Sequence, residues 1–559
     1  MDILALLKSL ILLLSGVGVF IVGMNMMGDG LEKSAGGGLK RLLAKISNNR
    51  FAGVGIGTAV TGIVQSSSAT SVMVIGLVNA GVMTLFQAVS IIMGANIGTT
   101  VTGLIVALTG EKKDGISFSE IAILLAFIGV MMMFFKKDKI KLLGSILCGL
   151  GLIFVGLDIM GDSLKSSKEI TEFFSGLFSA ISFPLLLIVF GALFTAIIQS
   201  SSAATGVVIV LAGGGAISVD VALFIVLGSN IGTCVTALIA CIGTGTNARR
   251  TAFVHFTFNV IGTALFTAFL WPTKAWFAGI LESITDDVQF QIALFHVIFN
   301  VTTTIVLVPF IKQLVKLAEL VIKDKKAKDE LKLKYVDERL LVTPAIAYEQ
   351  VKKEIGYMAN LAKDNIIASL AQINEPSKEK AAEIFERENV INFTNKALTD
   401  FLIKLTSEAN QTEEKHIGSF FHVINDLERI GDHAKNFAEI GTELAEKELE
   451  LSQNARDEIA LMSSNVSRMF ELAVEVFEAH TKAELTVVAS RLAELSMIEA
   501  ETDKLKKDYI ANHFARLADG TCVASHSPYY VSIVTRLERV GDHLVNVGYS
   551  IVNPTGSQA

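Results

Sequence analysis

One polar cluster occurs twice inside sequence otherwise fit for a bilayer interior. Gln65-Ser66-Ser67-Ser68-Ala69-Thr70 returns about 134 residues later as Gln199-Ser200-Ser201-Ser202-Ala203-Ala204-Thr205. Each unpaired polar group in hydrocarbon costs several kcal/mol, so an amide and a run of hydroxyls there must line a cavity or hold a ligand. The repetition implies two homologous halves that share one site. The extra Ala in the second copy reads as a one-residue insertion, which leaves Thr70 and Thr205 at non-equivalent positions.

A composition of 51% hydrophobic residues with mean hydropathy +0.53 exceeds the usual soluble level, and the average hides a split. Residues 1–311 are long apolar runs, whereas 312–559 are rich in Glu, Lys, Asp and Arg with helical patterning. Apolar spans are expected at about 3–27, 86–109, 118–135, 140–160, 221–243, 250–271 and 288–311. Residues 51–83 and 183–217, interrupted by the two clusters, read as re-entrant hairpins or broken helices. The first span lacks a small-residue cleavage site and reads as a retained helix.

Lys40, Arg41, Lys45 and Arg50, then Lys136, Lys137, Lys139 and Lys141, then Arg249, Arg250 and Lys312 onward, fit one orientation with all of them cytoplasmic. The N-terminus is then outside, seven helices cross, the acidic loop 272–288 lies outside, and the second half is cytoplasmic. Three crossings per unit invert the second unit. Gly23–Asp29 resembles Gly156–Asp162, and Gly94-Ala95-Asn96-Ile97-Gly98-Thr99-Thr100 is echoed by Gly228-Ser229-Asn230-Ile231-Gly232-Thr233-Cys234. The expected fold is all-α: a polytopic membrane protein with inverted-topology repeats at about 1–135 and 140–271, two broken hairpins and an extra helix at 288–311.

Residues 51–110 contain no Asp, Glu, Lys or Arg, and residues 183–248 contain only Asp220, so an anion site made by Lys or Arg is disfavoured there. Half-helix N-termini and Ser hydroxyls offer donors to a small anion instead. Such dipoles leave a multiply charged anion poorly compensated, and a co-bound cation would correct that. Amide oxygens of Gln65, Gln199, Asn96 and Asn230, hydroxyls of Thr70, Thr99, Thr100, Thr205 and Thr233, and carbonyls at the glycine breaks suit sodium. Close helix packing also uses Ser, Thr and Gly, but two copies of the cluster, each with its Gly-x-Asn-Ile-Gly-Thr segment, favour a transport site. Asp29, Asp158 and Asp162 read as span-end residues.

On these motifs the membrane half resembles the type II sodium/phosphate cotransporter family, bacterial branch. The resemblance implies sodium-coupled phosphate uptake, with Gln65, Ser66, Ser67, Ser68, Gln199, Ser200, Ser201 and Ser202 at the phosphate site and neighbouring polar residues binding sodium.

After a basic linker at 312–337, the chain from about 338 to 552 shows long amphipathic helices with few Gly or Pro, ahead of a short tail at 553–559. Glu428, Asp432 and Asn436 recur as Glu538, Asp542 and Asn546 at i, i+4, i+8 spacing, about 110 residues on. This looks like PhoU-type regulators, paired three-helix bundles that sometimes carry metal clusters. The resemblance makes Glu428, Asp432, Glu538 and Asp542 ligand candidates for a divalent or iron ion, with Glu388, Asn392, Glu499 and Asp503 as partners; an exposed charged stripe is the plainer alternative. His433 and His543 read as surface or packing residues. The four cysteines, Cys148, Cys234, Cys241 and Cys522, show no C-x-x-C spacing. No Walker motif or nucleophile–base set stands out, so neither ATP-driven pumping nor an enzyme is expected.

The sequence therefore reads as a sodium:phosphate symporter of a bacterial inner membrane with a cytoplasmic regulatory domain. Its expected partners are phosphate, sodium and lipid, and not nucleic acid; self-association is left open. A symporter of sulfate or a carboxylate, and a phosphate receptor that does not translocate, remain alternatives.

Overall fold

The computed structural model describes residues 3–44, 49–107, 118–166, 168–179, 181, 183–323, 331–407, 411–481 and 484–552. Lys45, the end of the second expected span, linker residues 324–330 and the tail 553–559 lie outside them. The chain forms two compact units, Met1–Lys326 and Ala327–Ala559. Among the described residues every regular element is a helix.

The first unit contains α1 (Ile3–Ala44), α2 (Arg50–Val64), α3 (Ser67–Asn79), α4 (Leu85–Ala107), α5 (Phe118–Met133), α6 (Asp138–Ser166) and α7 (Lys168–Ser179). It continues with α8 (Pro184–Ile198), α9 (Ser201–Gly213), α10 (Val219–Gly232), α11 (Cys234–Ala240), α12 (Thr246–Ile284), α13 (Val288–Leu307) and α14 (Ile311–Val321). Among the described residues six helical stretches are long and apolar enough to cross a membrane. They correspond to six of the seven expected spans. The remaining one, α5, has 16 residues, about 24 Å at 1.5 Å per residue, and residues 108–117 ahead of it are outside the described set.

Glycines reveal the repeat geometry, because an added Cβ reports what lies against the backbone. Gly16 meets Met160 and the Gly156 carbonyl, and Gly23 meets Ile153 and the Gly149 carbonyl, so α1 and α6 run antiparallel along two close glycine crossings. These are the first helices of the two repeats. Their opposition is the inversion itself.

In the first repeat Gly57 packs on Ile91, and Gly98 packs on Thr58 and Thr61; in the second, Gly191 packs on Ile225, and Gly232 on Ala192 and Thr195. The register runs the same way in both members of each pair, so α2 is parallel to α4 and α8 to α10. Each intervening helix, α3 or α9, must therefore turn back, which makes both broken segments hairpins.

Three readings are corrected. The expected outer loop 272–288 is mostly helix: α12 continues through Pro272 to Ile284, held by edge-to-face contacts of Phe277 with Phe269 and Phe295. Only Thr285–Asp287 connect it to α13, whose first turn Asp287 caps through Gln289 N–H at 2.8 Å. The basic linker begins as α14, an amphipathic helix that buries Ile311, Leu314 and Ala318. The glycines of Gly94–Thr100 do not break α4, which passes through them; Gly94 and Gly98 are needed because a Cβ there would lie 2.0 and 2.7 Å from carbonyl oxygens of α2.

The second unit is two three-helix bundles. The first comprises α15 (Pro344–Asn374), α16 (Lys378–Thr406) and α17 (Gln411–Glu446); the second, α18 (Gln453–Thr481), α19 (Leu485–Ala518) and α20 (Ser527–Val552). Ile391, Leu398, Ile430 and Phe437 fill the first core, and Met469, Leu495, Tyr530 and Leu537 the second. The half-buried Glu458 accepts from Arg516 at 2.7 Å and from the Tyr530 hydroxyl.

Candidate functional site

Both polar clusters fold into one local shape. Gln65 ends α2 in the left-handed region (φ 58°, ψ 21°), and Gln199 ends α8 in the same way (φ 58°, ψ 18°). Ser66 and Ser200 then adopt extended backbone and cap α3 and α9, accepting from Ala69 N–H at 3.1 Å and Ala203 N–H at 3.2 Å. Each break thus opens a fresh helix N-terminus with a Ser hydroxyl on its first amides. The shared register persists to the next turn, where Gly81 and Gly215 are both left-handed (φ 69° and 73°).

That register overturns the insertion. α3 and α9 both have 13 residues, so Thr70 is matched by Ala204, and Thr205 by Ser71. The second cluster carries a substitution, not an extra residue. The two matched hydroxyls, Ser71 Oγ and Thr205 Oγ1, are both buried without a protein partner.

The hairpin tips meet. Ser68 Oγ donates to the Gln199 carbonyl at 3.3 Å, and Thr236 Oγ1 lies 3.4 Å from Ser68 Oγ. On the other side of the pseudo-twofold, Ser202 Oγ donates to Thr102 Oγ1 at 3.3 Å, which donates to Gln65 Oε1 at 2.9 Å. Thr102 and Thr236 thus connect the tips, although neither was among the candidate site residues. The signal was present: both follow their Asn-Ile-Gly-Thr segment at the same distance.

The remaining candidates divide. Thr99, Thr100 and Thr233 donate to carbonyls of their own helices, and Thr70 joins Thr61 at 3.1 Å. Asn96 and Asn230 are buried and donate to Ile92 and Val226 carbonyls, an orientation that leaves each Oδ1 as an acceptor. Ser67 is half-buried and Ser201 buried. The tips are unequal: Gln65 is buried and Gln199 exposed, while Ser202 is buried and Ser68 half-buried.

A second polar layer escaped the sequence reading. His255 and Asn259 on α12 and His296 and Asn300 on α13 share the pattern His-x-x-Phe-Asn-Val. All four are buried, and His255 Nδ1, both His296 ring nitrogens, Asn259 Oδ1 and Asn300 Oδ1 have no protein partner. The Asn259 amide lies 3.3 Å from Cys234 Sγ, and the His296 ring abuts Gly103. The layer therefore lies against α11 and α4.

In the second unit the acidic residues gather asymmetrically. Carboxylate oxygens of Glu499, Asp503 and Asp542 lie within 4.8 Å of one another. Burial first, then their mutual repulsion and that of Glu538, raise the carboxyls of Glu499 and Asp542 above the ordinary range. Three convergent acids suit a hard or borderline metal ion. Glu538 is instead drawn to Lys506 at 2.7 Å. In the first bundle, Glu388 accepts from the Asn392 amide, and Glu428 and Asp432 face a cleft of about 670 Å³ between α17 and α20. His433 and His543 line that cleft as well. Burial and then the neighbouring His543, Arg536, Arg539 and Arg429 push His433 down to about 4.

A family model described as Na+/Pi-cotransporter matches residues 19–162 and 169–282, and a PhoU domain model matches 355–441 and 459–551. YqeW of Bacillus subtilis is 34% identical over 307 residues, covering 54% of this chain and 95% of that protein. The protein named "Putative inorganic phosphate export protein YjbB" in Escherichia coli K12 is 26% identical over 483 residues, 84% of this chain and 85% of its own. "Sodium-dependent phosphate transport protein 2A" of Rattus norvegicus shares 44% identity over 71 residues, 12% of this chain and 11% of its own. No solved structure matches. With paired hairpin tips in one unit and paired three-helix bundles in the other, the chain belongs to the Na+/Pi-cotransporter family and carries a PhoU domain.

Proposed function

We propose that the first unit is a sodium-coupled phosphate symporter of a bacterial inner membrane and that the PhoU domain, on the cytoplasmic side, regulates it. The observation that carries this reading is the meeting of the two tips through Ser68, Gln199, Ser202, Thr102 and Gln65, a set built only of hydroxyl, amide and carbonyl groups. Ser66, Ser67, Ser200 and Ser201 complete the donors at the two helix N-termini, where phosphate oxygens would be held by O–H and N–H groups.

Among the described residues no Lys or Arg hydrogen-bonds to this set, so a travelling cation would meet the anion's charge. The Oδ1 atoms of Asn96 and Asn230 and the amide oxygens of Gln65 and Gln199 are acceptors suited to sodium. Each ion then stabilises the other's bound state, which is the thermodynamic content of coupling. The unequal exposure of Gln65 and Gln199 supports alternating access, with one repeat open while the other is closed. In the PhoU domain, Glu499, Asp503 and Asp542 would hold a metal ion.

A second reading, net export, is favoured by the name of the Escherichia coli relative that spans both units. A symporter is reversible, so the two readings differ in the gradients applied and not in the site. Proteoliposomes test the sodium coupling that both readings share. Labelled phosphate is expected to accumulate under an inward sodium gradient and to leave preloaded vesicles when both ions are high inside. Phosphate movement that ignores sodium would sink the coupling, and sulfate moved in preference to phosphate would reassign the substrate.

A further inference from the structure

We propose that the cleft between α17 and α20 is a binding site for a small phosphoryl anion, distinct from the transport site and independent of the transport reading. The cleft measures about 670 Å³ and is lined by Arg429, Arg536 and Arg539, with Ser532, Thr535 and the two histidines. This volume lies within the range of sites for small organic ligands and exceeds the need of a single orthophosphate.

Its charge comes from a break in the domain's internal symmetry. α17 and α20 carry equivalent motifs, so Arg429 matches Arg539, and His433 matches His543. His543 Nδ1 pairs with Asp426 at 2.8 Å. The residue equivalent to Asp426 is Arg536, whose Nη1 lies 3.5 Å from His433 Nδ1. An acid–histidine pair on one side is thus a guanidinium–histidine contact on the other, with a third arginine added where symmetry would have placed a carboxylate.

The Arg536 Nε donates to Ser532 Oγ at 3.2 Å, which fixes the guanidinium at the cleft wall. Among the described residues none of the three arginines forms an ion pair within 4.0 Å, so their fork donors remain available. Glu428 and Asp432 line the same cleft and repel an anion from their end, which directs it towards Arg536 and Arg539. Planar forks that converge without carboxylate partners match phosphoryl oxygens in bidentate fashion, and the hydroxyls of Ser532 and Thr535 add donors. Inorganic phosphate and nucleoside phosphates share that chemistry.

The test is equilibrium binding to the full chain in lipid nanodiscs, in sodium-free buffer, with orthophosphate, pyrophosphate and ATP as separate probes. A Gln199→Ala background removes the transport site from the measurement. Saturable binding of one ligand per chain is expected, with affinity reduced about tenfold or more by Arg429→Glu and by Arg536→Gln. Arg429 is exposed, so its reversal leaves the melting temperature unchanged and keeps the test valid if Arg536→Gln perturbs folding. Tighter binding of ATP than of orthophosphate would identify a nucleoside phosphate as the source, and the reverse order the free ion. Affinities unchanged in both variants, or no binding of any probe to the Gln199→Ala chain, would overturn the proposal, whatever the outcome of the vesicle experiments.

Discussion

Gln65 and Gln199 are held where L-residues are costly, since the left-handed region is worth about 1–2 kcal/mol against a non-glycine residue. Glycine would adopt this backbone more easily, so retention of glutamine twice over points to the amide group. Gln65→Gly relieves that strain but deletes the acceptor of the Thr102 hydroxyl, so its stability should stay within about 1 kcal/mol of the wild type while phosphate flux falls at least about tenfold. Thr102→Val, nearly isosteric, removes the hydroxyl that joins Ser202 to Gln65 and should lower flux to a similar degree at a stability cost of about 1 kcal/mol. Flux in proteoliposomes and melting in detergent, measured on the same preparations, check both. The clusters were legible from residue type alone, because polar groups in an apolar run stand out. Thr102 and Thr236 were not, because their role depends on the parallel register of α2 with α4 and of α8 with α10.

At the level of helices, small residues set how closely α2 and α4 approach. A Cβ on Gly94 would lie 2.0 Å from the Val54 carbonyl, an impossible contact, whereas one on Gly55 meets nothing within 4 Å. Gly94→Ala is expected to destabilise the first unit by about 1–3 kcal/mol or more, and Gly55→Ala to be neutral or slightly stabilising; thermal melting of the detergent-purified variants decides it. Gly228→Ala should behave like Gly94→Ala, since its Cβ would meet the Ile188 carbonyl at the same distance. Long uniform spans such as α4 and α13 were readable from length and hydropathy. The amphipathic α7 and α14 were not, since their charged faces resemble loops until a partner surface exists. The persistence of α12 beyond Pro272 depended on aromatic packing that no local propensity contains.

Across the whole chain, duplication occurs twice, inverted in the first unit and paired in the second, and each copy has diverged around its site. The acidic triad shows the effect in the PhoU domain. With the folded-state carboxyls of Glu499 and Asp542 raised above their unfolded values, the fold binds protons more tightly than the unfolded chain does. Stability without metal is then complete below the unfolded range near pH 4 and is lost as pH rises through the folded values. A bound divalent ion reverses that repulsion, so added Mn2+ should raise the melting temperature more at pH 7.5 than at pH 5. Elemental analysis of wild type against Glu499→Ala with Asp542→Ala checks the same site, and equal metal content in both would place any metal elsewhere. The sequence made the motif face readable. It could not show which copy closes into a triad, because that depends on Lys506 drawing Glu538 aside and on Asn392 engaging Glu388.

The buried Gln65 and the exposed Gln199 have one more consequence. Two segments of identical backbone shape occupy different surroundings in one molecule, so each is a template for the other. On the proposed alternating-access cycle, exchanging their surroundings gives the opposite-facing conformer of the same chain. The free-energy gap between the two conformers is then set by the positions where the copies differ, among them Thr70 against Ala204 and Thr100 against Cys234. On that proposed cycle, the differences between the copies bias which way the resting molecule faces.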